Sequence, residues 1–237
     1  MRPVILIAGD SFTIGQGCSD RDNPATQTFP MVPSEFAWSS LLEKDYPEYN
    51  IVNLAQPGSS NITICNSIHE YINNKFKPVP SLILFCSSFD GRILVQSDPF
   101  FSMQFGNTTV VSDWVIPANI TNQSKDYATA KEFFIRHLYT SKYFANVSLA
   151  CVWSIYGLCN KNNIKFAWNY PVGEDANDHG YLNSLEFCRH EAISDWIVAN
   201  RPNGNKIYEA ADGHANNVGH QGYYDKVIRP LFNSMKM

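Results

Sequence analysis

Several patterns are missing from the 237-residue sequence, and each absence excludes a class of protein. There is no period-three glycine pattern, no heptad array and no polar low-complexity tract, so collagen-like, coiled-coil and disordered chains are excluded. Charge is also scarce, at 17% of residues. The formal net charge is only −4, so we expect no nucleic-acid partner and no attraction to an anionic membrane.

Patterns that bind metals or nucleotides are missing as well. The six cysteines form no Cys-x-x-Cys pair and match no zinc-site spacing, so we expect reduced thiols in an intracellular compartment. The first glycine-rich loop has neither a Gly-x-Gly-x-x-Gly nor a Walker pattern, and Asp10 in that loop would repel phosphate. The sequence therefore predicts no cofactor and no metal.

Long hydrophobic runs are absent too. The N-terminal apolar run, Val4 to Ala8, is too short for a signal peptide, so we expect the chain to be cytoplasmic at synthesis. The uncharged stretch from Tyr143 to Asn160 is interrupted by polar side chains, including Asn146 and Ser148. It predicts a buried helix rather than a membrane span.

Apolar residues make up 44% of the sequence. Their spacing predicts strands that alternate with helices. Predicted strands cover Val4–Ala8, Ile51–Leu54, Ser81–Cys86 and Ile164–Trp168. Predicted helices cover Phe36–Leu42, the face from Ile64 to Phe76, Tyr127–Tyr143 with a continuation towards Cys159, and Asn216–Phe232. This alternation predicts a single α/β domain over residues 1–237, with a parallel sheet between two layers of helices.

One segment interrupts the alternation. Residues 96–124 form a long aromatic stretch that contains Phe100, Phe101, Phe105 and Trp114. A structureless loop of this length is unusual in a compact domain. We expect an insertion with some strand content that serves either as a substrate wall or as a docking surface.

Three short polar segments follow predicted strands and should meet at the carboxyl edge of the sheet, where open α/β sheets bind ligands. They are Gly9-Asp10-Ser11, Pro57-Gly58-Ser59 and Ser87-Ser88-Phe89-Asp90. A serine hydroxyl needs an adjacent base to act as a nucleophile, and His214 is the best candidate for the base of Ser11. Asp212 is the nearest acid to orient that imidazole, and the backbone N–H groups of Ser11 and Gly58 suit an oxyanion.

These residues resemble the motif blocks of the SGNH (GDSL-type) hydrolases. Gly9-Asp10-Ser11 resembles the first block, Asn53 to Asn61 the second, and Asp212 to His220 the last. The resemblance implies a flavodoxin-like three-layer α/β/α sandwich with a central parallel sheet, and metal-independent hydrolysis of ester or acyl bonds. It also implies that Ser11 is the nucleophile, His214 the base, Asp212 its orienting acid and Gly58 an oxyanion donor.

The sequence departs from the family's pattern at two places. The third block normally offers Gly-x-Asn-Asp, whereas Ser87 to Arg92 contains no Asn to complete the oxyanion hole. Loss of one such donor costs on the order of 10²–10³ in rate, and Ser88 or Arg92 is a candidate substitute. The acid is the second departure, because Asp212 stands two rather than three residues before His214. The alternative to a triad is therefore a Ser–His dyad oriented by a backbone carbonyl.

The variant third block is similar to that of stand-alone SGNH proteins encoded by bacteriophages. Two hypotheses follow from this resemblance. The first is a serine esterase or acyl hydrolase that removes O-acetyl or similar groups from a carbohydrate or a small ester. The second is a non-enzymatic or weakly active structural component of a phage virion, whose partners are other virion proteins or further copies of itself.

Overall fold

The computed structural model describes residues 2–21, 32–88, 92–94, 113–115, 141–170, 188–202, 205–211 and 213–235. The elements in chain order are β1 (Val4–Ala8), α1 (Ser11–Ile14), α2 (Trp38–Asp45), β2 (Asn50–Asn53), α3 (Asn61–Asn73), β3 (Leu82–Cys86), β4 (Arg92–Leu94), β5 (Asp113–Val115), α4 (Ser141–Asn162), β6 (Lys165–Tyr170), β7 (Cys188–Glu191), α5 (Ile193–Ala199), α6 (Asn217–Tyr223), a π-helical turn (Tyr224–Ile228) and α7 (Arg229–Met235).

A five-stranded parallel sheet in the order β2-β1-β3-β6-β7 forms the centre of the fold. The four strands predicted from apolar runs are confirmed as β1, β2, β3 and β6. The fifth strand, β7, and the helix α5 after it were not predicted. The polar sequence of β7, Cys-Arg-His-Glu, lacks the β-branched run that identifies a buried strand.

Two hydrophobic cores cover the two faces of this sheet. In β1, Val4, Leu6 and Ala8 point into the core shared with α3 and α4. Ile5 and Ile7 point into the other core, which includes residues of α2, α5, α6 and α7. Since side chains alternate along a strand, a continuous apolar run supplies both cores at once. The predicted three-layer α/β/α sandwich is therefore confirmed, with the flavodoxin-like strand order.

Other predictions fall partly on the described residues. The stretch from Tyr143 to Asn160 is helical and lies within α4, and no helix in the described ranges is long and apolar enough to cross a membrane. The last predicted helix begins as expected after Asn216, although a π-helical turn divides it. In the 96–124 segment, β5 pairs antiparallel with β4. The rest of that segment, and residues 127–140 of the helix predicted before α4, lie outside the described residues.

Candidate active site

Ser11 lies at the first turn beyond a central strand. It is the first residue of α1, a four-residue helix that follows β1 after only Gly9 and Asp10. The Asp10 side chain caps this helix by accepting a hydrogen bond from the Phe12 N–H at 3.0 Å. As the first residue of the helix, Ser11 has a backbone N–H with no intrahelical partner, and that group points out of the N-terminal end.

His214 reaches Ser11 from the other end of the chain. Its Nε2 lies 2.9 Å from the Ser11 Oγ, across 203 residues of sequence. The histidine ring also packs on the Phe12 ring, with 4.8 Å between the ring centroids. The two residues that the sequence predicts as nucleophile and base are therefore in hydrogen-bond contact.

Gly17, in the loop after α1, permits the close approach of His214 to Ser11. Gly17 has a φ of +95°, and a Cβ added there would lie 2.8 Å from both the His214 Cβ and the Ala215 carbonyl oxygen. On the other side of the histidine, Gly213 has a φ of +86°, which suits the tight turn closed by the Gly213 N–H to Ala210 O hydrogen bond at 3.0 Å. Both loops are thus shaped to bring His214 against α1.

Gly58 follows the neighbouring strand β2. Hydrogen bonds from the Leu54 N–H to Ile7 O and from the Gln56 N–H to Gly9 O carry the pairing of β1 and β2 past the ends of both strands. The loop that holds Gly58 is therefore fixed beside the loop that holds Ser11. Gly58 has a φ of +78°, and a Cβ added to it would meet no atom within 4 Å, so this side of the loop is open.

Ser88 and Asn61 form a buried network with the helix cap Asp10. Ser88 is 1% exposed, and its hydroxyl donates to Asp10 Oδ2 at 3.1 Å. Asn61 accepts from the Ser88 N–H at 2.7 Å and donates to the Ser88 carbonyl oxygen at 3.1 Å. Its Nδ2 also donates to Ser148 Oγ at 2.8 Å. This clamp ties the loop after β3 to the start of α3.

The roles of the remaining site residues stay predictions. Ser88 is placed with its hydroxyl on Asp10 rather than on Ser11, so an oxyanion role for it would need a different side-chain orientation. Asp212 lies outside the described residues, and so does the side chain of Arg92. Sequence reasoning missed Asn61, although it stands within the second motif block and is the first residue of α3.

His220 is placed in the interior. Its side chain is fully buried, and its Nδ1 accepts a hydrogen bond from the Trp38 N–H at 3.2 Å. Burial lowers the pKa of His220 to about 3, with a smaller contribution from His214, so its imidazole is neutral at pH 7. It joins α6 to α2 and supports the segment that carries His214.

A small cavity lies against Phe12 and Thr13 of α1. Its volume is about 20 Å³, and the residues that line it include Asp10, Ser87 and Asn169. This volume suits a single water molecule and is too small for an ester substrate. In the described parts of the chain, no group of three or more His, Cys, Asp or Glu side chains is placed to hold a metal ion.

Comparison of the sequence with known protein families and with curated proteins finds no significant match. Solved structures do match in fold. TesA is 10% identical with a TM-score of 0.51 and 94% of each chain covered. A carbohydrate esterase is 12% identical with a TM-score of 0.54, covering 100% of this chain and 66% of its own. The psychrotrophic esterase EstA from Pseudoalteromonas sp. is 12% identical with a TM-score of 0.51, covering 97% and 98%.

These structures share the three-layer architecture over nearly the whole of this chain. At 10–12% identity the likeness concerns the fold, while the Ser11–His214 contact is a property of this chain itself. The chain therefore has the fold of the SGNH (GDSL-type) hydrolases and places its motif serine and histidine in contact at the carboxyl edge of the sheet.

Proposed function

We propose that the chain is a serine hydrolase of ester bonds. The observation that carries this proposal is the 2.9 Å distance between Ser11 Oγ and His214 Nε2. With Nε2 unprotonated, the Ser11 hydroxyl donates to it, and the imidazole takes the proton as the oxygen attacks the ester carbonyl. The acyl group is transferred to Ser11, and the alcohol leaves with the proton that His214 had taken. Water then gives a proton to His214 and attacks the acyl group, and the acid is released as Ser11 takes that proton back.

The oxyanion that forms during attack requires preorganised donors. The backbone N–H groups of Ser11 and Gly58 are proposed for this role, since one stands at a helix N-terminus and the other in the open loop beside it. The hydrogen-bond network of Asp10, Ser88 and Asn61 holds the loop after β3 in place. Asp212 is proposed to orient His214, with a backbone carbonyl as the alternative.

The test is hydrolysis of p-nitrophenyl acetate by the wild type and by Ser11→Ala. We expect the variant to lose on the order of 10³-fold or more in kcat/KM. Ser234→Ala is the matched control, because this exposed hydroxyl in α7 donates only to its own helix at Leu231 O. A Ser11→Ala protein that is as active as the control would refute the proposal.

For the substrate, we propose an O-acetylated carbohydrate or a small ester. The likeness to a carbohydrate esterase supports this class. Acetate release from acetylated oligosaccharides, lost in Ser11→Ala, is the expected result. If p-nitrophenyl acetate is cleaved and acetylated oligosaccharides are not, the substrate is a small ester.

A second candidate is a binding component, located in a phage particle, that uses the same site without rapid turnover. The missing third-block Asn favours it. So does the carbohydrate esterase of similar fold, whose active site displays "divergent catalytic and non-catalytic binding functions". This candidate predicts glycan or virion-protein binding that survives Ser11→Ala, with no acetate release by either protein. Acetate release by the wild type, or binding that is lost in Ser11→Ala, would count against it.

A further inference from the structure

Two cysteines face each other where α3 packs on α4, away from the Ser11–His214 pair. Cys65 is on α3 and Cys151 is on α4, and both are free thiols with 7% and 8% exposure. The Cys65 Sγ donates to the Cys151 carbonyl oxygen at 3.9 Å. The mechanism proposed above makes no use of either side chain.

Polar contacts on both sides of this pair fix the register of the two helices. Asn61 Nδ2 donates to Ser148 Oγ at 2.8 Å one turn before the cysteines. His69 Nε2 lies 2.8 Å from Ser154 Oγ one turn after them. Successive contacts are therefore four residues apart on α3 and three residues apart on α4.

Helices that pack rows of four against rows of three cross at a small angle of about 20°. Successive side chains then face each other along the interface, and the cysteine pair occupies the middle of three such contacts. The small side chains of Ser148 and Ser154 on either side of Cys151 permit a close approach of the helices. A disulfide requires Cα atoms roughly 4.4–6.8 Å apart, and the 3.9 Å contact between Cys65 Sγ and the Cys151 carbonyl oxygen brings the two residues together.

The two thiols differ in acidity. Hydrogen bonds from Cys151 and, more weakly, from Ser154 lower the pKa of Cys65 below its ordinary value, against the opposing effect of burial. The hydrogen bond with Cys65, and then burial, raise the pKa of Cys151 well above its ordinary value. By contrast, burial raises the pKa of Cys86 and of Cys159 to about 12. These hydrogen bonds therefore favour the thiolate at Cys65 rather than at Cys151.

We propose that Cys65 and Cys151 are a dithiol modification site that a small peroxide converts into a disulfide between α3 and α4. In the first step the Cys65 thiolate attacks a peroxide oxygen, which breaks the O–O bond, and protonation of hydroxide gives water and a sulfenic acid. In the second step the Cys151 sulfur attacks the Cys65 sulfur and a second water leaves. The two thiols lose two electrons and two protons, and one hydrogen peroxide becomes two waters.

The test treats the full chain with hydrogen peroxide, alkylates the remaining thiols after unfolding and maps peptides without reduction. The expected result is a linked Cys65–Cys151 peptide pair and an intact mass lower by about 2 Da before alkylation, both reversed by dithiothreitol. Cys86 and Cys159 serve as internal controls and should be consumed at least about tenfold more slowly. This readout is independent of esterase activity, so it stands or fails separately from the proposed function.

Two variants sharpen the test. Cys151→Ser should leave a sulfenic acid at Cys65 that dimedone traps, whereas Cys65→Ser should give neither the trapped adduct nor the mass loss. Cys159→Ser is the matched control and should form the disulfide like the wild type. The proposal is overturned if wild-type Cys65 and Cys151 remain alkylatable, if Cys65 proceeds to sulfinic acid without a cross-link, or if the disulfide joins any other pair of the six cysteines.

Discussion

Ser11 and Ser88 follow adjacent strands of the same sheet, and both side chains are buried, at 2% and 1% exposure. The Ser11 hydroxyl faces the imidazole of His214, a base that can take its proton. The Ser88 hydroxyl donates to the carboxylate of Asp10, which holds it in place. Under the proposed mechanism, the partner of a hydroxyl, rather than its position at the sheet edge, decides whether the hydroxyl reacts or supports the loop.

The same contrast separates the two histidines of the C-terminal segment. His214 stands at the end of a tight turn and contacts Ser11, whereas His220 is fully buried and its Nδ1 accepts from a backbone N–H. Only a short stretch of chain, including the start of α6, separates them in sequence. Substitutions at His214, Asn61, His220 and Ser88 distinguish the roles of these side chains.

The greatest loss of activity is expected when the Ser11–His214 contact is removed. His214→Ala should lower kcat/KM for p-nitrophenyl acetate by on the order of 10³-fold, because no base remains to take the Ser11 proton. The double variant with Ser11→Ala should lose no more than the single variants, since the two residues act as one unit. Initial rates measured on matched, folded preparations check this. Losses that multiply in the double variant would show that the residues act separately.

The next largest effect is expected at the Asn61 clamp, which holds the loop after β3. Asn61→Ala leaves the Ser88 N–H and carbonyl oxygen buried without this partner, so we expect a loss of about 2–4 kcal/mol in the free energy of unfolding. Urea unfolding measures it. Asn74→Ala is the matched control, because that side chain caps an exposed turn at the Phe76 N–H, and it should cost less than about 1 kcal/mol. Equal losses in the two variants would contradict the clamp.

The third prediction concerns pH and His220. Its pKa is about 3 in the folded chain and about 6.5 when unfolded, so the unfolded state binds more protons between these values. The stabilisation from neutral His220 is complete above pH 6.5 and is lost as pH falls, by about 2 kcal/mol from pH 6.5 to pH 5. His220→Gln should show a flatter pH dependence of unfolding over this range. An unchanged slope would exclude His220 as its source.

The smallest effect is expected at Ser88. Ser88→Ala removes one hydrogen bond to Asp10 and should cost about 1 kcal/mol of stability, with kcat/KM changed by only a few fold. Unfolding and rate measurements on the same preparation check both values. A loss of activity as large as that of Ser11→Ala would instead place Ser88 in the reaction, as the oxyanion donor that the sequence suggests.

Much of the fold is predictable from the sequence, and the reason is physical. Strands β1 and β3 are continuous apolar runs because both faces of each are buried, and such runs are visible in a single sequence. Strand β7 was missed because it is a short polar strand at the edge of the sheet, without an apolar run to mark it. Helix α5 is only seven residues long and has no side-chain cap to mark its start.

Part of the candidate site could also be predicted from the sequence, and part could not. The pairing of Ser11 with His214 was expected, because the order of strands brings their loops to one edge and the motif resemblance names both residues. The Asn61 clamp was missed because its partner is a backbone segment 27 residues away, and no sequence pattern encodes that contact. The orientation of Ser88 towards Asp10 likewise arises only once β1 and β3 lie side by side. The roles of Asp212 and Arg92 stay predictions.

The proposed mechanism requires that Ser11, and none of the other buried serines among the described residues, acts as the nucleophile. A p-nitrophenyl phosphonate ester reacts covalently with such a serine, and peptide mapping then identifies the modified residue. We predict one adduct per chain, located on Ser11, absent in Ser11→Ala and formed far more slowly in His214→Ala. An adduct on Ser88 or elsewhere, or hydrolysis that continues after Ser11 is fully modified, would contradict this mechanism.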